Sequence, residues 1–183
     1  NLKHTYSRVR MGTKVTRRDA LHLALMSSEN RMASALGRHY PGGRSAFIRA
    51  MNNKARQLGM RNSRFYDSTG LSTRNVSTAR DLAKLIAAAY RQPLIRQFTQ
   101  DTNKEMRFST PAYSLMFNNT NPLVKNPDWD VRLSKTGYTD EAGRCLLMRA
   151  KPDQQELAIV LLNSVGKRTP VGDANRIRKW LKS

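Results

Sequence analysis

Acid is scarce in this 183-residue chain: 13 Asp and Glu stand against 33 Lys and Arg, a formal net charge of +20. A single cysteine, Cys145, excludes an intramolecular disulfide and any zinc site built on several thiolates. It leaves the compartment open, because many exported proteins also do without disulfides. His4, His22 and His39 show no metal-ligand spacing and read as surface or helix-face residues. No apolar run approaches the roughly 18 residues that a membrane-spanning helix needs. The longest, Leu157–Leu162 and Leu85–Tyr90, read as a core strand and a core helix. Asn1-Leu2-Lys3-His4 offers no initiator Met, no apolar signal region and no cleavage motif, so the chain reads as an excerpt from a longer one.

What is present is ordinary globular material. Hydrophobic residues make up 39% and charged residues 25%, which argues against wholesale disorder. The length suits one domain or most of one. The charge reads either as a soluble surface loaded with arginine or as the mark of an anionic partner: nucleic acid, acidic lipid or a cell-wall polymer. Basic residues are spread along the chain, with doublets such as Arg17-Arg18 and Lys167-Arg168 but no run of five. No helix-turn-helix, RRM or zinc-finger spacing appears, so nucleic acid has only the charge in its favour.

Tyr6–Met11 alternates and predicts a short strand with a hairpin through Gly12. Thr16-Arg17-Arg18-Asp19 predicts a capped helix start, followed by a largely apolar helix that breaks at Ser27-Ser28. A second helix covers about 29–39 and stops at Pro41-Gly42-Gly43. A third covers about 44–58, with Phe47, Ile48, Met51, Ala55 and Leu58 on one face and Gly59 past its end. Thr78-Ala79-Arg80-Asp81 opens a fourth, and Pro93 a short helical turn. After residue 100 the period becomes two: Met106 and Phe108, then Tyr113, Leu115 and Phe117, then Trp129, Val131 and Leu133. Strands at 144–150 and 156–163 complete an antiparallel meander, which a last helix over 171–181 covers with Ile177, Trp180 and Leu181.

Two short motifs carry chemistry. Ser28-Glu29-Asn30 sits at a helix–helix break, and Lys135-Thr136-Gly137 on an alternating strand just before a turn. Alone, the first is an ordinary cap and the second an ordinary strand end. Together, in this order and on these elements, they match the set found in penicillin-binding proteins and class A β-lactamases. Leu25–Asn30, the loop Asn62–Leu71 with Phe65 and Gly70, the helix start Ser77-Thr78-Ala79-Arg80-Asp81-Leu82, and Lys135–Thr139 followed by Ala142-Gly143 extend the match. On these residues the chain resembles the D-alanyl-D-alanine peptidases of the low-molecular-mass penicillin-binding protein family, over nearly its whole length. The Ser-Glu-Asn form and Tyr40-Pro41-Gly42-Gly43 look most like the endopeptidase members.

The resemblance implies an α+β, β-lactamase/transpeptidase-like fold: an antiparallel sheet flanked by helices plus a mainly helical subdomain. Residues 1–183 would then be one D,D-peptidase domain lacking its N-terminal part. A mainly helical region at about 16–100 would carry Ser-x-Asn, and the meander and last helix at about 104–183 would carry Lys-Thr-Gly. It implies a serine-type hydrolase that cuts D-alanyl cross-links in peptidoglycan through an acyl-enzyme, in the periplasm, with β-lactams as covalent inhibitors. It implies no metal, no organic cofactor, no nucleic acid partner and no transmembrane segment. Ser28, Asn30 and Lys135 are the catalytic candidates, and Thr136, Gly137 and Tyr138 the substrate-binding ones.

The residue types suit those roles. A serine nucleophile needs a base, and the leaving amine needs a proton that the Ser28 hydroxyl can relay. Lys135, read as a permanent cation, would orient that hydroxyl and depress neighbouring pKa values. Asn30 offers an amide to a substrate carbonyl, and Thr136 a hydroxyl to a carboxylate or peptide group. Gly137 lets a peptide lie against the strand edge. The resemblance implies that the Tyr138 N–H helps to build the oxyanion hole.

One departure stands out. The family's Ser-x-x-Lys nucleophile motif precedes Ser-x-Asn, and none occurs before Ser28. Ser164-Val165-Gly166-Lys167 has the spacing in the wrong place, so this chain alone is expected to form no acyl-enzyme. Asp173 falls roughly where a carboxypeptidase would hold a basic residue for the terminal carboxylate, which favours cutting an internal cross-link. A carboxypeptidase of the same family is the first alternative. A non-catalytic cationic wall- or nucleic-acid-binding module is the second. A β-lactamase would need a well-placed deacylating acid, and no such motif is recognisable between Asn30 and Lys135.

Overall fold

The computed structural model describes residues 6–183, so His4 and the other N-terminal expectations at residues 1–5 lie outside it. Residues 6–16 are irregular, with a turn at Met11-Gly12; the strand expected at Tyr6–Met11 does not form. Thr16 then starts α1 (Arg17–Met26) by accepting the Asp19 N–H at 3.0 Å, as the capping pattern requires. Helix α2 (Asn30–Arg38) follows after only three residues. Helix α3 (Gly43–Gln57) ends with Gly59 at φ +71°, the left-handed conformation in which glycine escapes Cβ crowding. Its expected inward face is only half-buried, apart from Ala55. Helix α4 (Ala79–Tyr90) is capped by Thr78, which accepts the Asp81 N–H at 3.2 Å, and α5 (Pro93–Gln100) starts on its proline.

Strands β1 (Asn103–Ser109) and β2 (Ala112–Asn118) form a separate two-stranded antiparallel ribbon. Alternation turns Met106, Phe108 and Phe117 to one face, where they bury Leu23 and Met26 of α1 and Met32 of α2. The three-stranded sheet has the order β3 (Val131–Thr139), β4 (Gly143–Ala150), β5 (Leu157–Ser164), all antiparallel. On one face Leu146, Met148, Ala150 and Ile159 pack with Ala174, Val171 and Ile177 of α6 (Thr169–Trp180). On the other, Arg149 lies over the Tyr90 ring at the end of α4, 4.0 Å from its centroid. Gln100 Nε2 ties α5 to β3 by donating to the Arg132 carbonyl at 2.9 Å. The architecture is therefore the expected α+β one, with helices on both faces of an antiparallel sheet.

Several side chains fall elsewhere than expected. Trp129 precedes β3, in a 3-10 turn at Pro127–Trp129; it is fully buried, and its Nε1 donates to Asn175 Oδ1 at 3.1 Å. Trp180, expected inward, is 73% exposed at the end of α6. In β5 only Ile159 is fully buried, because β5 is an edge strand rather than a central one. His22 is buried, stacked on Phe98 with ring centroids 4.2 Å apart and Nε2 2.8 Å from Asp101 Oδ2. Cys145 is half-buried on the central strand β4, across from Gly137, rather than in the core.

Candidate active site

The site begins with how α1 stops. The Ser27 hydroxyl donates back to the Leu23 carbonyl at 2.8 Å, and the Glu29 N–H bonds the same carbonyl at 3.2 Å. Between them Ser28 takes φ +56°, a left-handed conformation that few non-glycine residues adopt. That reversal lifts the Ser28 hydroxyl out of the helix line. Glu29 caps α2, its carboxylate accepting the Arg31 N–H at 3.1 Å, so it acts as a helix-end acid and not as a base. Asn30 is the first residue of α2. Ser28 and Asn30 share a cavity of about 330 Å³ with Arg8, Phe117 and Asn118.

Lys135 reaches this reversal from β3. Its Nζ donates to Ser28 Oγ in a short hydrogen bond, and to the Thr136 carbonyl at 2.8 Å. Burial of the ammonium lowers its pKa from 10.5 to about 8. The expectation of a permanent cation is thereby corrected: Lys135 is charged at neutral pH but loses its proton in mildly alkaline solution. It forms no ion pair with a described residue, so nothing offsets the desolvation except those two acceptors.

The next three residues run along a sheet edge. No described strand pairs with β3 on the side away from β4. The Thr136 hydroxyl donates to Thr120 Oγ1 at 2.6 Å. Gly137 sits across from Cys145, and a Cβ built on it would meet only Cys145 Cβ, at 3.8 Å. Nothing inside the chain therefore demands glycine there; the open space lies outside the strand. Tyr138 is 53% exposed, and its hydroxyl donates to Asp140 Oδ1 at 2.8 Å.

The structure thus joins Ser28 to Lys135 directly, places Asn30 in the cavity with Ser28, and sets Thr136, Gly137 and Tyr138 along the adjoining edge. Sequence reasoning missed Thr120. Its N–H bonds the Met26 carbonyl at 3.2 Å, so it links the end of α1 to Thr136 on β3. Flanking asparagines fix it: Asn119 Nδ2 donates to the Thr99 and Asp101 carbonyls, and its Oδ1 accepts the Asn121 N–H. The polar run Asn118-Asn119-Thr120-Asn121 is the only signal that could have marked it. Ser164-Val165-Gly166-Lys167 leaves β5, two strands from β3, and does not join the site. Asp173 lies in α6 and is paired with Arg176. No cluster of three or more His, Cys, Asp or Glu that could hold a metal occurs among the described residues.

Known proteins share much of this sequence and fold. A family profile described as D-alanyl-D-alanine carboxypeptidase matches residues 1–166. The D-alanyl-D-alanine endopeptidase of Escherichia coli is 50% identical over 182 residues, covering 100% of this chain and 59% of that protein. The Pseudomonas aeruginosa endopeptidase is 48% identical with the same coverage. The chain therefore spans about three-fifths of the length of these relatives. Among solved structures, the Streptomyces K15 DD-transpeptidase superposes with a TM-score of 0.86 at 26% identity, over 94% of this chain and 70% of that one. Penicillin-binding protein D2 from Listeria monocytogenes, solved in a cefotaxime-bound form, gives 0.77 at 25% identity, over 90% and 66%.

Proposed function

The chain belongs to the D-alanyl-D-alanine carboxypeptidase family, and from that premise we propose that the whole protein is a serine-type D,D-peptidase that hydrolyses D-alanyl cross-links in peptidoglycan through an acyl-enzyme. The observation that carries this reading is the hydrogen bond from Lys135 Nζ to Ser28 Oγ. It supplies a hydroxyl whose orientation is fixed by a cation with a tunable proton, which is what protonating a leaving amine requires. In this reading Ser28 relays the proton and Lys135 orients and recharges it. Asn30 holds the substrate carbonyl from the other wall of the cavity, and Thr136 and Gly137 receive the peptide along the β3 edge as an added strand. The Tyr138 N–H contributes to the oxyanion hole. The nucleophilic serine and its lysine come from a Ser-x-x-Lys segment outside these 183 residues. The protein works in the periplasm without metal or organic cofactor. β-Lactams acylate it, which the cefotaxime-bound Listeria relative supports.

Cutting a cross-link is favoured over trimming a terminal residue by the 48–50% identity to endopeptidases, against 30% or less for the Bacillus subtilis and Escherichia coli carboxypeptidases. Incubating the whole protein with a cross-linked muropeptide dimer and with a pentapeptide monomer tests the reading. The dimer is expected to be converted to monomers at the higher rate. Turnover of the pentapeptide alone would establish the carboxypeptidase instead, and turnover of neither would remove the peptidase reading.

A further inference from the structure

We propose that the exposed arginines around the connection between α3 and α4, centred on Arg64 and Arg74, form an exosite. It holds the anionic wall polymer by carboxylates of stem peptides other than the cross-link being cut. The inference rests on the D,D-peptidase reading above, which brings that polymer to this enzyme.

Basic residues are spread along the chain, but the acids are not. Residues 30–100 hold 13 Lys and Arg and only two acids, Asp67 and Asp81, whereas residues 101–183 hold 14 and nine. Both of those two acids are turned inward, 8% and 1% exposed. Asp81 accepts the Asn62 N–H at 2.8 Å and the Ser63 hydroxyl at 2.9 Å, and pairs with Lys84. Asp67 accepts the Thr69 N–H at 3.0 Å and a bond from the Asn75 amide. This part of the chain therefore shows solvent cations without counter-charge, a field that attracts and holds a polyanion.

The cations stand on a built platform. Arg64 exchanges both backbone hydrogen bonds with Val76, at 2.9 and 3.0 Å. Ser63 and Ser77 share a hydroxyl hydrogen bond of 2.7 Å, and Lys84 Nζ donates to the Gly59 carbonyl. Asn52 holds Phe65 from both sides, accepting its N–H at 2.9 Å and donating to its carbonyl at 2.7 Å. These bonds gather Arg56, Arg61, Arg64, Arg74 and Arg80, all exposed, around the joint of the two helices. The Arg64 and Arg74 guanidiniums both lie against the Tyr66 ring, 5.8 and 3.8 Å from its centroid, which keeps them within about 10 Å of each other. Stacking occupies their flat faces and leaves their N–H edges to bind carboxylates. Neither forms an ion pair with a described residue. Arg80 stands in the first turn of α4, the positive end of the helix, where a cation costs stability.

The platform adjoins the site. Its loop also carries Thr69, which lines a cavity shared with Asn30. Peptidoglycan is the polyanion that the proposed reaction draws to that cavity, and its uncut stem peptides carry free carboxylates.

The test uses the whole protein with its active site first blocked by penicillin, so that cosedimentation with insoluble peptidoglycan sacculi reads a surface outside the reaction cleft. The blocked wild type is expected to be retained, with an affinity that falls as salt rises. Arg64→Gln/Arg74→Gln should weaken retention about fivefold to tenfold, and Arg64→Lys/Arg74→Lys, which keeps the charge, should keep most of it. Sacculi whose carboxylates have been amidated should hold the wild type no better than the glutamine variant. Equal retention of wild type and glutamine variant overturns the exosite, as does full retention on amidated sacculi. Equal weakening by lysine and glutamine also overturns it, because lost packing on Tyr66 would then explain the effect. Duplex DNA and phosphatidylglycerol vesicles are run alongside. A variant that loses only one of these, with sacculus retention unchanged, assigns the surface another partner and overturns the proposal. Absence of penicillin acylation in the wild type overturns the peptidase reading and the exosite's part in it, whereas acylation without carboxylate-dependent retention overturns this inference alone.

Discussion

The Lys135 ammonium donates to the Ser28 hydroxyl across 107 residues of sequence, joining the edge strand of the sheet to the reversal between the first two helices. Both partners of this contact are unusual. Ser28 holds a left-handed backbone, and Lys135 is buried far enough to bring its pKa down to about 8. Such a pair costs stability and supplies a proton-handling group, a trade typical of functional sites.

The pH dependence of stability follows from that shift. Lys135 deprotonates near pH 8 when folded and near 10.5 when unfolded. Below pH 8 it is charged in both states, and the folded state bears the whole desolvation cost, about 3 kcal/mol for a shift of this size. Between pH 8 and 10.5 the unfolded chain binds the extra proton, so this contribution to stability rises with pH. Lys135→Met, which keeps the volume without the charge, should be more stable than wild type at pH 7. Its advantage should shrink toward pH 10 in urea denaturation, and an advantage that does not change with pH would contradict the burial argument.

Gly137→Ala separates folding from substrate binding. The new Cβ meets only Cys145 Cβ at 3.8 Å, and alanine in place of a strand glycine is worth roughly 0.5–1 kcal/mol in the folded state's favour. Thermal stability is expected to hold or rise slightly. The rate of acylation of the whole protein by penicillin is expected to fall at least about tenfold, because the methyl stands off the face of the edge strand, against the side chains of an added strand. A marked drop in stability would mean that glycine serves the fold.

Thr120 tests the link between α1 and β3. Thr120→Val keeps the shape and removes the oxygen that accepts from Thr136. Loss of one such hydrogen bond is worth about 1 kcal/mol, so acylation should slow about threefold to tenfold. Thr120→Ser should restore it, since the hydroxyl returns. Failure of serine to rescue would show that packing, not the hydrogen bond, sets the rate.

Trp129 anchors the sheet against α6, fully buried and hydrogen-bonded through Nε1 to Asn175. Trp129→Ala should cost about 3–5 kcal/mol. Trp129→Phe should cost less, through the unpaired Asn175 oxygen and the lost volume. Chemical denaturation of the two variants gives the comparison.

Much of this site was legible in the sequence because its residues belong to short local patterns. Thr16 and Thr78 announced their helices through acids three residues on, and Gly59 marked the end of α3. Ser28 and Lys135 were visible as motifs, although nothing local states that they touch. What was not legible depends on tertiary context. Burial, which no periodicity reports, turned Lys135 from a permanent cation into a titratable one. Thr120 looked like part of a turn until the fold placed it between Met26 and Thr136. Trp180 follows the helical period of Ile177 yet is largely exposed at the end of α6, and Leu162 closes an apolar run on a strand that is an edge.

Covalent labelling of the whole protein by a fluorescent penicillin, with and without Lys135→Ala, tests the central claim most directly. The account predicts stoichiometric labelling of the wild type and near-complete loss in a folded Lys135→Ala protein. Undiminished labelling after that substitution would contradict it, because the Lys135–Ser28 contact would then have no part in acylation.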